Sequence, residues 1–336
     1  MSVRASPSGT LLEVDGLSVA IGGEPVVDAV SFSLAAGKTL ALVGESGCGK
    51  SLTARALIRL LPPVAQQVGG VVRFEGSPLG GLDAAEMAAL RGVALSMIFQ
   101  EPSAALDPLM PVGKQIVEAV LAHRPIGRRA AVAAALAMLE AVGIPDPRRR
   151  MGQYPFELSG GMNQRIMIAI ALICRPRLLI ADEPTTALDV TIQAQILAVL
   201  KRLQRETGAA VLLITHDMGV VADMADRVAV MYAGRIVEEG DVFELFRRQH
   251  HPYTRLLLNS LPALAGARER LSTIEGSVPD FRDWPSGCRF HPRCPLADAQ
   301  CRAAAPPLTA VDGPERPAEH LAACWHREAV PELALP

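Results

Sequence analysis

One stretch of this sequence combines glycines, a lysine and a serine at the spacing that phosphate binding requires. It reads Gly44-Glu45-Ser46-Gly47-Cys48-Gly49-Lys50-Ser51. Glycines let backbone N–H groups curl around a polyphosphate, and a helix N-terminus behind them adds partial positive charge. Lys50 would neutralise the β- and γ-phosphates, while the Ser51 hydroxyl would bind Mg²⁺. The stretch predicts a site for a nucleoside triphosphate and its magnesium ion.

The flanking segments supply the structural context that separates a phosphate-binding loop from an ordinary glycine-rich turn. Thr39–Val43 is a short apolar run that suits a buried strand, and Leu52–Leu61 contains neither Gly nor Pro. The second segment therefore predicts a helix, which Pro62 ends. Because strand, loop and helix follow in the required order, we predict that Gly44–Leu52 contacts the nucleotide.

Two adjacent acids follow another apolar run. Leu178–Ala181 predicts a strand, and Asp182 and Glu183 come directly after it. In a phosphate-loop enzyme the first acid holds Mg²⁺ through water, and the second orients or deprotonates the attacking water. Alone, the pair would fit a solvated strand end. Beside the phosphate loop, it favours triphosphate hydrolysis.

Two further motifs fit the same chemistry. His216 follows the apolar run Val211–Thr215, so we expect it at the sheet edge where Asp182 lies, within reach of a γ-phosphate. Leu158–Arg165 is a Ser-Gly-Gly turn that opens a helix, which is a second anion site in physical terms. One domain does not need two γ-phosphate sites, so this turn indicates a partner chain.

The remaining segments predict how these motifs are held. Residues 11–34 alternate apolar and polar positions in short runs, as antiparallel strands do. Residues 101–157 predict a helical insertion, with Val112, Ile116 and Val120 on one helix face and Val132, Leu136 and Leu139 on the next. A strand–helix alternation resumes after it, and a hairpin is expected at Val228–Glu238. The fold class is α/β, with a separate small module from His251 onward.

Bulk properties exclude several classes. The chain has 336 residues, half of them apolar, and a net charge of −2, so nothing predicts a nucleic-acid partner. It contains no apolar run of about 18 residues and no signal-peptide pattern, so we expect a cytosolic chain or one docked on the cytosolic side of a membrane. Four cysteines crowd the C-terminal region, which in a reducing compartment suggests metal before disulfides.

In this order and spacing, the phosphate loop, Gln100, Leu158–Gly161, Asp182-Glu183, Ala187-Leu188-Asp189 and His216 resemble an ATP-binding cassette (ABC) ATPase. The resemblance covers about residues 11–250 and implies a RecA-like phosphate-loop core with an antiparallel β subdomain and a helical subdomain at 101–157. It also implies ATP and Mg²⁺ as cofactors. Two cassettes of this family pair head to tail, so Ser159, Gly160 and Gly161 would contact ATP on the opposite subunit.

The resemblance implies roles for further residues. Asp189 would lie along the dimer seam, and Gln100 would sense Mg²⁺ and nucleotide while linking to the insertion where membrane subunits dock. Ser51, Gln100 and Asp182 would form the magnesium site, with Glu183, His216 and Gln100 catalytic. Ile21 occupies the position where many cassettes stack an aromatic residue on adenine, so that contact would be weaker here.

Five further segments resemble the dipeptide/oligopeptide importer branch of this family. They are Phe99–Pro102, Ala105–Pro108, Val112–Ile116, Tyr154-Pro155 and His251–Leu257. That resemblance implies a peptide importer with a second cassette (identical or a sister subunit), two permease subunits and, indirectly, an extracytoplasmic solute-binding protein. The chain would sit peripherally on the cytoplasmic face of the inner membrane. Nickel or antimicrobial-peptide import is an alternative cargo, and a soluble cassette ATPase acting on nucleic acid or ribosomes is an alternative class.

The same branch has a Cys-bearing tail, which residues 251–336 resemble. Its cysteines, separated by five, six and twenty-two residues, are Cys288, Cys294, Cys301 and Cys324. Zinc sites favour about two to four residues between close ligands, so the spacing does not favour zinc. The resemblance implies a [4Fe–4S] cluster; reduced structural thiols and a zinc site are the alternatives.

Cys48 lies inside the phosphate loop, near Lys50 and a helix N-terminus. Such surroundings lower a thiol pKa, so alkylation of Cys48 is expected to block ATP binding. The alternative is a small side chain that the loop tolerates.

Overall fold

The computed structural model describes residues 9–186, 188–259, 274–311 and 320–333. Its strands are, in chain order, β1 (Thr10–Ile21), β2 (Glu24–Ala35), β3 (Thr39–Val43), β4 (Ala65–Phe74), β5 (Ser77–Pro78), β6 (Leu95–Ile98), β7 (Leu178–Asp182), β8 (Ala210–Thr215), β9 (Arg227–Tyr232), β10 (Arg235–Asp241), β11 (Thr309–Ala310) and β12 (Leu321–Ala322).

The helices of the described residues are α1 (Lys50–Leu57), α2 (Ala84–Leu90), α3 (Pro102–Ala105), α4 (Val112–His123), α5 (Arg128–Ala141), α6 (Pro147–Arg150), α7 (Gly160–Leu172), α8 (Val190–Thr207), α9 (Met218–Met224), α10 (Val242–Arg247), α11 (Pro252–Asn259) and α12 (Ala299–Ala303). Across those ranges, no helix is both long and apolar enough to span a membrane.

The chain divides into two compact units. Within the described ranges, the first unit comprises residues 9–11, 34–39 and 81–214, and the second comprises residues 12–33, 40–80 and 215–333. Each unit is therefore assembled from separated stretches of sequence. The predicted boundary at residues 250 and 251 stays a prediction.

In the first unit, three parallel strands carry the acidic motif. Strand β7 lies between β6 and β8, with Ala181 opposite Ile98 on one side and Leu213 on the other. All five residues of β7 are buried, as are all six of β8. This continuous apolar character is typical of parallel strands covered on both faces, so the strand predictions from Leu178 and Val211 are confirmed.

Residues 101–157 of the first unit contain the helices α3 to α6, as the sequence predicts, and their role as a separate subdomain stays a prediction. Val112, Ile116 and Val120 are fully buried on α4, as predicted. The predicted face of α5 is right at Leu139, which is fully buried, but wrong at Val132 and Leu136, which are only half-buried while Ala131 and Ala135 are buried in their place. Helix α5 packs against α4 and α7, and small alanine side chains let helices approach closely.

An antiparallel sheet with strand order β2-β1-β4-β5 belongs to the second unit. Residues 11–34 form two long strands rather than the predicted series of short runs. The chain turns once, at Gly22-Gly23, and Pro25 is accommodated as the second residue of β2. A proline is tolerated near the start of a strand, where its missing N–H breaks no central ladder.

A mixed sheet holds the phosphate loop and the C-terminal segment in the second unit. Strand β3 pairs in parallel with β9, and β9 pairs antiparallel with β10. The hairpin predicted at Val228–Glu238 is thus confirmed, and it turns at Ala233-Gly234. Beyond β10 come β12 and then β11. One buried core joins this sheet to α9, α10, α11 and Phe290. The C-terminal chain therefore packs on the strand that precedes the phosphate loop.

Candidate nucleotide site

The phosphate loop connects β3 to α1 in the second unit, as the sequence predicts. Gly44 has φ +151°, and a Cβ atom there would lie 2.1 Å from the Met231 carbonyl oxygen. Gly49 has φ +103° and precedes the first residue of α1. Both positions therefore require glycine, for backbone conformation and for space. Ser46 and Gly47 are exposed between them, and Ser51 and Leu52 follow as half-buried residues of α1.

Lys50 points into the loop. Its side chain is buried, and its ammonium group donates hydrogen bonds to the carbonyl oxygens of Gly44, at 2.7 Å, and Glu45, at 2.9 Å. A buried cation held by carbonyl groups is positioned before any phosphate binds, which lowers the cost of ordering it.

The expected lowering of the Cys48 thiol pKa is wrong, whereas the expectation that alkylation of Cys48 blocks ATP binding stays a prediction. The side chain is 1 % exposed, and this burial raises the pKa of its thiol by more than the neighbouring Lys50 lowers it. Burial in apolar surroundings disfavours a thiolate. This burial favours the alternative, a small side chain that the loop tolerates.

Glu45 has two anchors that the sequence motifs did not assign. Its backbone N–H donates to the Tyr253 hydroxyl at 2.8 Å, and its carboxylate pairs with the Arg293 guanidinium through two bonds of 3.1 Å. Both partners lie more than 200 residues along the chain. The His-Pro-Tyr and Pro-Arg-Cys motifs contain them, but a motif does not show which residue it contacts.

The acidic motif lies at the end of β7 in the first unit. Asp182 is buried as the last residue of that strand. Glu183 has φ +46°, which is rare for a residue with a side chain and costs roughly 1–3 kcal/mol. Its N–H donates to the Ile214 carbonyl, at 2.9 Å. The surrounding structure thus holds Glu183 in a strained conformation, which is typical of functional positions.

The structure brings Gln100 and Glu183 together. One carboxylate oxygen of Glu183 accepts hydrogen bonds from the Gln100 amide, at 3.2 Å, and from the Thr186 hydroxyl, at 2.7 Å. Gln100 follows the end of β6 and is exposed. Thr186 has no role in the sequence-based prediction, although it comes only three residues after Glu183. Two neutral donors fix the carboxylate without neutralising it, which suits a group that must accept a proton.

The Ser-Gly-Gly turn opens α7. The Ser159 hydroxyl caps the helix by accepting from the Met162 N–H at 3.3 Å, and Gly160 is exposed. Gly161 comes close to α8, since a Cβ atom there would lie 2.9 Å from an Ile192 methyl group. One turn later, the buried Gln164 amide donates to the Pro184 carbonyl at 2.6 Å. The turn is thereby tied to the chain directly after Glu183.

The other predicted residues have simpler surroundings. Asp189 caps α8 by accepting from the Ile192 N–H at 2.9 Å. His216 is exposed directly after β8, and Ile21 is the half-buried last residue of β1. Their roles toward nucleotide, adenine or a second subunit stay predictions.

The four C-terminal cysteines form a second group, here called the cysteine group: Cys288, Cys294, Cys301 and Cys324. All are free thiols. The pKa of Cys324 is raised to about 12 and that of Cys294 to about 11. Burial is the main cause of both shifts, and the neighbouring cysteines contribute in the same direction. Within the described chain, Asp298, Cys301 and His326 also place ligand atoms within 4.8 Å of one another.

Family models match both parts of this chain. Residues 27–186 match the ABC transporter model, and residues 237–301 match the model of the oligopeptide/dipeptide transporter C-terminal region. The probable peptide ABC transporter ATP-binding protein y4tR of Sinorhizobium fredii is 49 % identical over 99 % of this chain and 100 % of its own length. The chain belongs to the ABC transporter ATPases. Lys50, Glu183 and Gln100 therefore belong to an ATP-hydrolysing cassette.

Other relatives of this ABC ATPase carry related names. The dipeptide transport ATP-binding protein DppD of Bacillus subtilis is 48 % identical over 97 % of both chains. The oligopeptide transport ATP-binding protein OppD of Salmonella typhimurium is 47 % identical over 90 % of this chain and 91 % of its own. Among solved structures, the ATP-binding cassette MJ0796, a dimer bound to ADP and Pi, matches with a TM-score of 0.62 and 25 % identity over 69 % of this chain and 99 % of its own.

Proposed function

We propose that this ABC ATPase is the ATP-hydrolysing subunit of an importer for dipeptides or oligopeptides. The observation that carries the proposal is the full-length similarity, near 50 % identity, to proteins named for peptide, dipeptide and oligopeptide transport. The C-terminal family match at 237–301 supports the same branch. Import of nickel or antimicrobial peptides by the same machinery is the alternative.

Hydrolysis requires two cassettes in this proposal. Lys50, Ser51 and Asp182 bind the phosphates and Mg²⁺, Glu183 activates water, and His216 contacts the γ-phosphate. Ser159, Gly160 and Gly161 bind the ATP of the opposite subunit, and Asp189 lies at the seam. The exposure of Gly160 supports this role, and so does the dimeric state of the MJ0796 cassette. Ile21 contacts adenine through aliphatic atoms only.

Coupling to two permease subunits passes through the helical insertion. Two exposed apolar side chains of the insertion support docking there: Leu109 is 85 % exposed and Phe156 is 74 % exposed, the latter stacked on Tyr154. Gln100 contacts Glu183 and directly precedes the insertion. A movement of the insertion would therefore shift Gln100 and change its hydrogen bond to Glu183. The subunit would bind peripherally to permeases at the cytoplasmic face of the inner membrane.

The cysteine group suits a [4Fe–4S] cluster. Cys301 raises the pKa of each of the other three thiols, and backbone N–H groups of Phe290, Leu296 and His326 bond to the sulfurs of Cys288, Cys294 and Cys324. Donors of that kind stabilise thiolate ligands. Bound there, a cluster would cross-link the C-terminal segment through four metal–sulfur bonds. A zinc ion at Asp298, Cys301 and His326 is the alternative, and it shares Cys301.

Reconstitution tests the import function. The chain is co-purified with candidate permeases and placed in proteoliposomes with a candidate peptide-binding protein. We expect ATP-driven uptake of a labelled dipeptide or oligopeptide, and none with Glu183→Gln. Uptake of nickel but not of peptide would change the proposed cargo from peptides to nickel. Co-purification with RNA and without any permease would overturn the importer assignment.

Anaerobic purification tests the cluster. We expect about four iron atoms per chain and visible charge-transfer absorption, both lost in Cys288→Ser. One zinc per chain without iron would support the alternative site, and a metal-free chain with normal folding would leave four structural thiols.

A further inference from the structure

We propose that Arg293 is a positioning residue for the phosphate loop, so that the C-terminal segment sets the affinity of the cassette for ATP. The proposal depends on ATP binding, which follows from the family, and not on the peptide cargo. It concerns residues of the second unit only. Three contacts carry the argument.

The first contact is the ion pair between Arg293 and Glu45. Both terminal nitrogens of the guanidinium donate to the two carboxylate oxygens at 3.1 Å, and the Arg293 side chain is only 7 % exposed. A planar guanidinium that bonds a carboxylate through both nitrogens fixes orientation as well as distance. Arg293 therefore holds the loop residue in one geometry.

Arg293 is itself held firmly. Its Nε donates to the Glu275 carbonyl at 2.9 Å, and one terminal nitrogen also contacts the Tyr232 hydroxyl at 3.4 Å. The guanidinium lies beside the rings of Tyr232 and Phe290. Because these partners leave it little freedom, the arginine acts as a fixed support rather than a mobile surface charge.

The second contact reaches the backbone of the same loop residue. The Tyr253 hydroxyl accepts the Glu45 N–H, and the Tyr253 ring is fully buried against Tyr232 and Phe290. The backbone of Glu45 is thus anchored from α11 through Tyr253, and its side chain is anchored separately from the turn before Cys294 through Arg293. Two independent anchors on one residue indicate that its position matters.

The third contact connects Glu45 to the charge that binds phosphate. The Glu45 carbonyl accepts from the Lys50 ammonium at 2.9 Å, so a shift of Glu45 displaces Lys50 as well. Glu45 also brings a negative charge into a loop that binds a polyphosphate anion. Arg293 neutralises that charge. Without Arg293, the carboxylate would oppose ATP directly and the loop would lose its side-chain anchor.

ATP affinity of the purified full chain tests the proposal, with ATP titrated in a calorimeter in the presence of Mg²⁺. We expect Arg293→Met to weaken ATP binding about tenfold or more, because it leaves the half-buried Glu45 carboxylate unpaired beside the phosphate site. Arg293→Lys keeps the positive charge but cannot bond both carboxylate oxygens through a planar guanidinium. Its ATP affinity should therefore lie between those of the unchanged chain and of Arg293→Met. Tyr253→Phe keeps the ring packing but removes the acceptor, and should weaken binding about threefold to tenfold.

A double variant separates positioning from general damage. In Arg293→Met with Glu45→Gln, the opposing charge is gone, so ATP affinity should recover the part of the loss that comes from the unpaired carboxylate, and the remaining loss measures the missing anchor. A merely structural role for Arg293 would not give that rescue. In the assembled transporter, Arg293→Met should raise KM for ATP and leave kcat at saturating ATP nearly unchanged.

The matched control is Arg282→Met. This arginine lies in the same segment, but its side chain is 71 % exposed and pairs only loosely with Asp280, at 4.0 Å. The Arg282→Met variant should bind ATP with the same affinity as the unchanged chain. Wild-type affinity in Arg293→Met would overturn the proposal, as would a double variant that binds no better than the single one. Neither result depends on which cargo is imported.

Discussion

The phosphate loop and the Ser-Gly-Gly turn are both glycine-rich turns at the start of a helix, but they are held in different ways. The loop residue Glu45 is anchored by Tyr253 and Arg293, which lie 208 and 248 residues away. The turn is fixed by Ser159 bonding three residues ahead and by Asn163 bonding the Pro155 carbonyl eight residues back. One motif is supported by partners more than 200 residues away, and the other by partners no more than 30 residues away, Pro184 and Gln195 included.

This difference fits two different tasks. A loop that envelops phosphates gains affinity when its N–H groups and lysine are ordered before binding. A turn that contributes to a site on another subunit has to stay accessible, and Gly160 is exposed. The same local sequence pattern therefore produces a preorganised site in one unit and an open surface in the other.

The largest expected effect is that of adding one methyl group to each motif. Gly44→Ala places a Cβ atom 2.1 Å from a backbone oxygen, whereas a Cβ atom at Gly160 meets nothing within 4 Å. Gly44→Ala should abolish ATP binding by the isolated chain, and Gly160→Ala should leave it intact. Calorimetric titration of both variants with ATP measures this. Equal ATP affinity in the two variants would mean that the loop is not held more tightly than the turn.

Glu183→Gln should lower ATP turnover by roughly 10²- to 10⁴-fold, because the amide cannot accept the proton of water. Its carbonyl can still accept from Gln100 or Thr186, so ATP binding and the fold should persist and an ATP-trapped dimer should accumulate. Phosphate release and size-exclusion chromatography with ATP measure both effects. Glu206→Gln, which changes an exposed ion pair with Arg202, is the control and should hydrolyse ATP normally. Near-normal turnover in Glu183→Gln would remove that residue from catalysis.

The local part of this site could be predicted from the sequence. The phosphate loop, the strand before Asp182 and the capping role of Ser159 depend on neighbouring residues, so spacing and polarity reveal them. The contact between Gln100 and Glu183 spans 83 residues, and the family resemblance names both residues without predicting the bond between them.

Other features depend on burial or on distant contacts, which a single sequence does not contain. The sequence shows Lys50 next to Cys48 but not that Cys48 is buried, so it gives the wrong direction for the thiol pKa. It shows Arg293 next to Cys294 but not that Glu45 lies opposite. The alanine face of α5 was missed because alanine is compatible with both surface and core.

The long-range support of the loop should weaken in acid. His251 is fully buried, its Nδ1 accepts the Tyr253 N–H at 3.1 Å, and burial lowers the pKa of His251 to about 3. The unfolded chain takes up a proton near pH 6.5, whereas the folded chain does not. Stability is therefore fully present above that pH and falls below it, by up to about 1.4 kcal/mol per pH unit.

Urea unfolding of the second unit between pH 7 and pH 5 measures this slope. The His251→Asn variant provides a side-chain oxygen for the Tyr253 N–H and does not titrate, so its stability should fall less steeply over the same range. Identical slopes in the two chains would show that His251 does not carry the acid sensitivity.

The smallest effect is expected at Cys48, a buried side chain of the phosphate loop. Its raised thiol pKa and 1 % exposure predict slow alkylation at neutral pH, roughly tenfold or more below that of the unfolded chain. Cys48→Ala removes one sulfur atom from a packed site and should cost about 1 kcal/mol of stability, with ATP affinity nearly unchanged. Mass spectrometry after timed iodoacetamide treatment, with and without urea, measures the first effect. If Cys48 reacts in the native chain as fast as in urea, the loop opens readily, and the rigidity ascribed to its distant anchors is wrong.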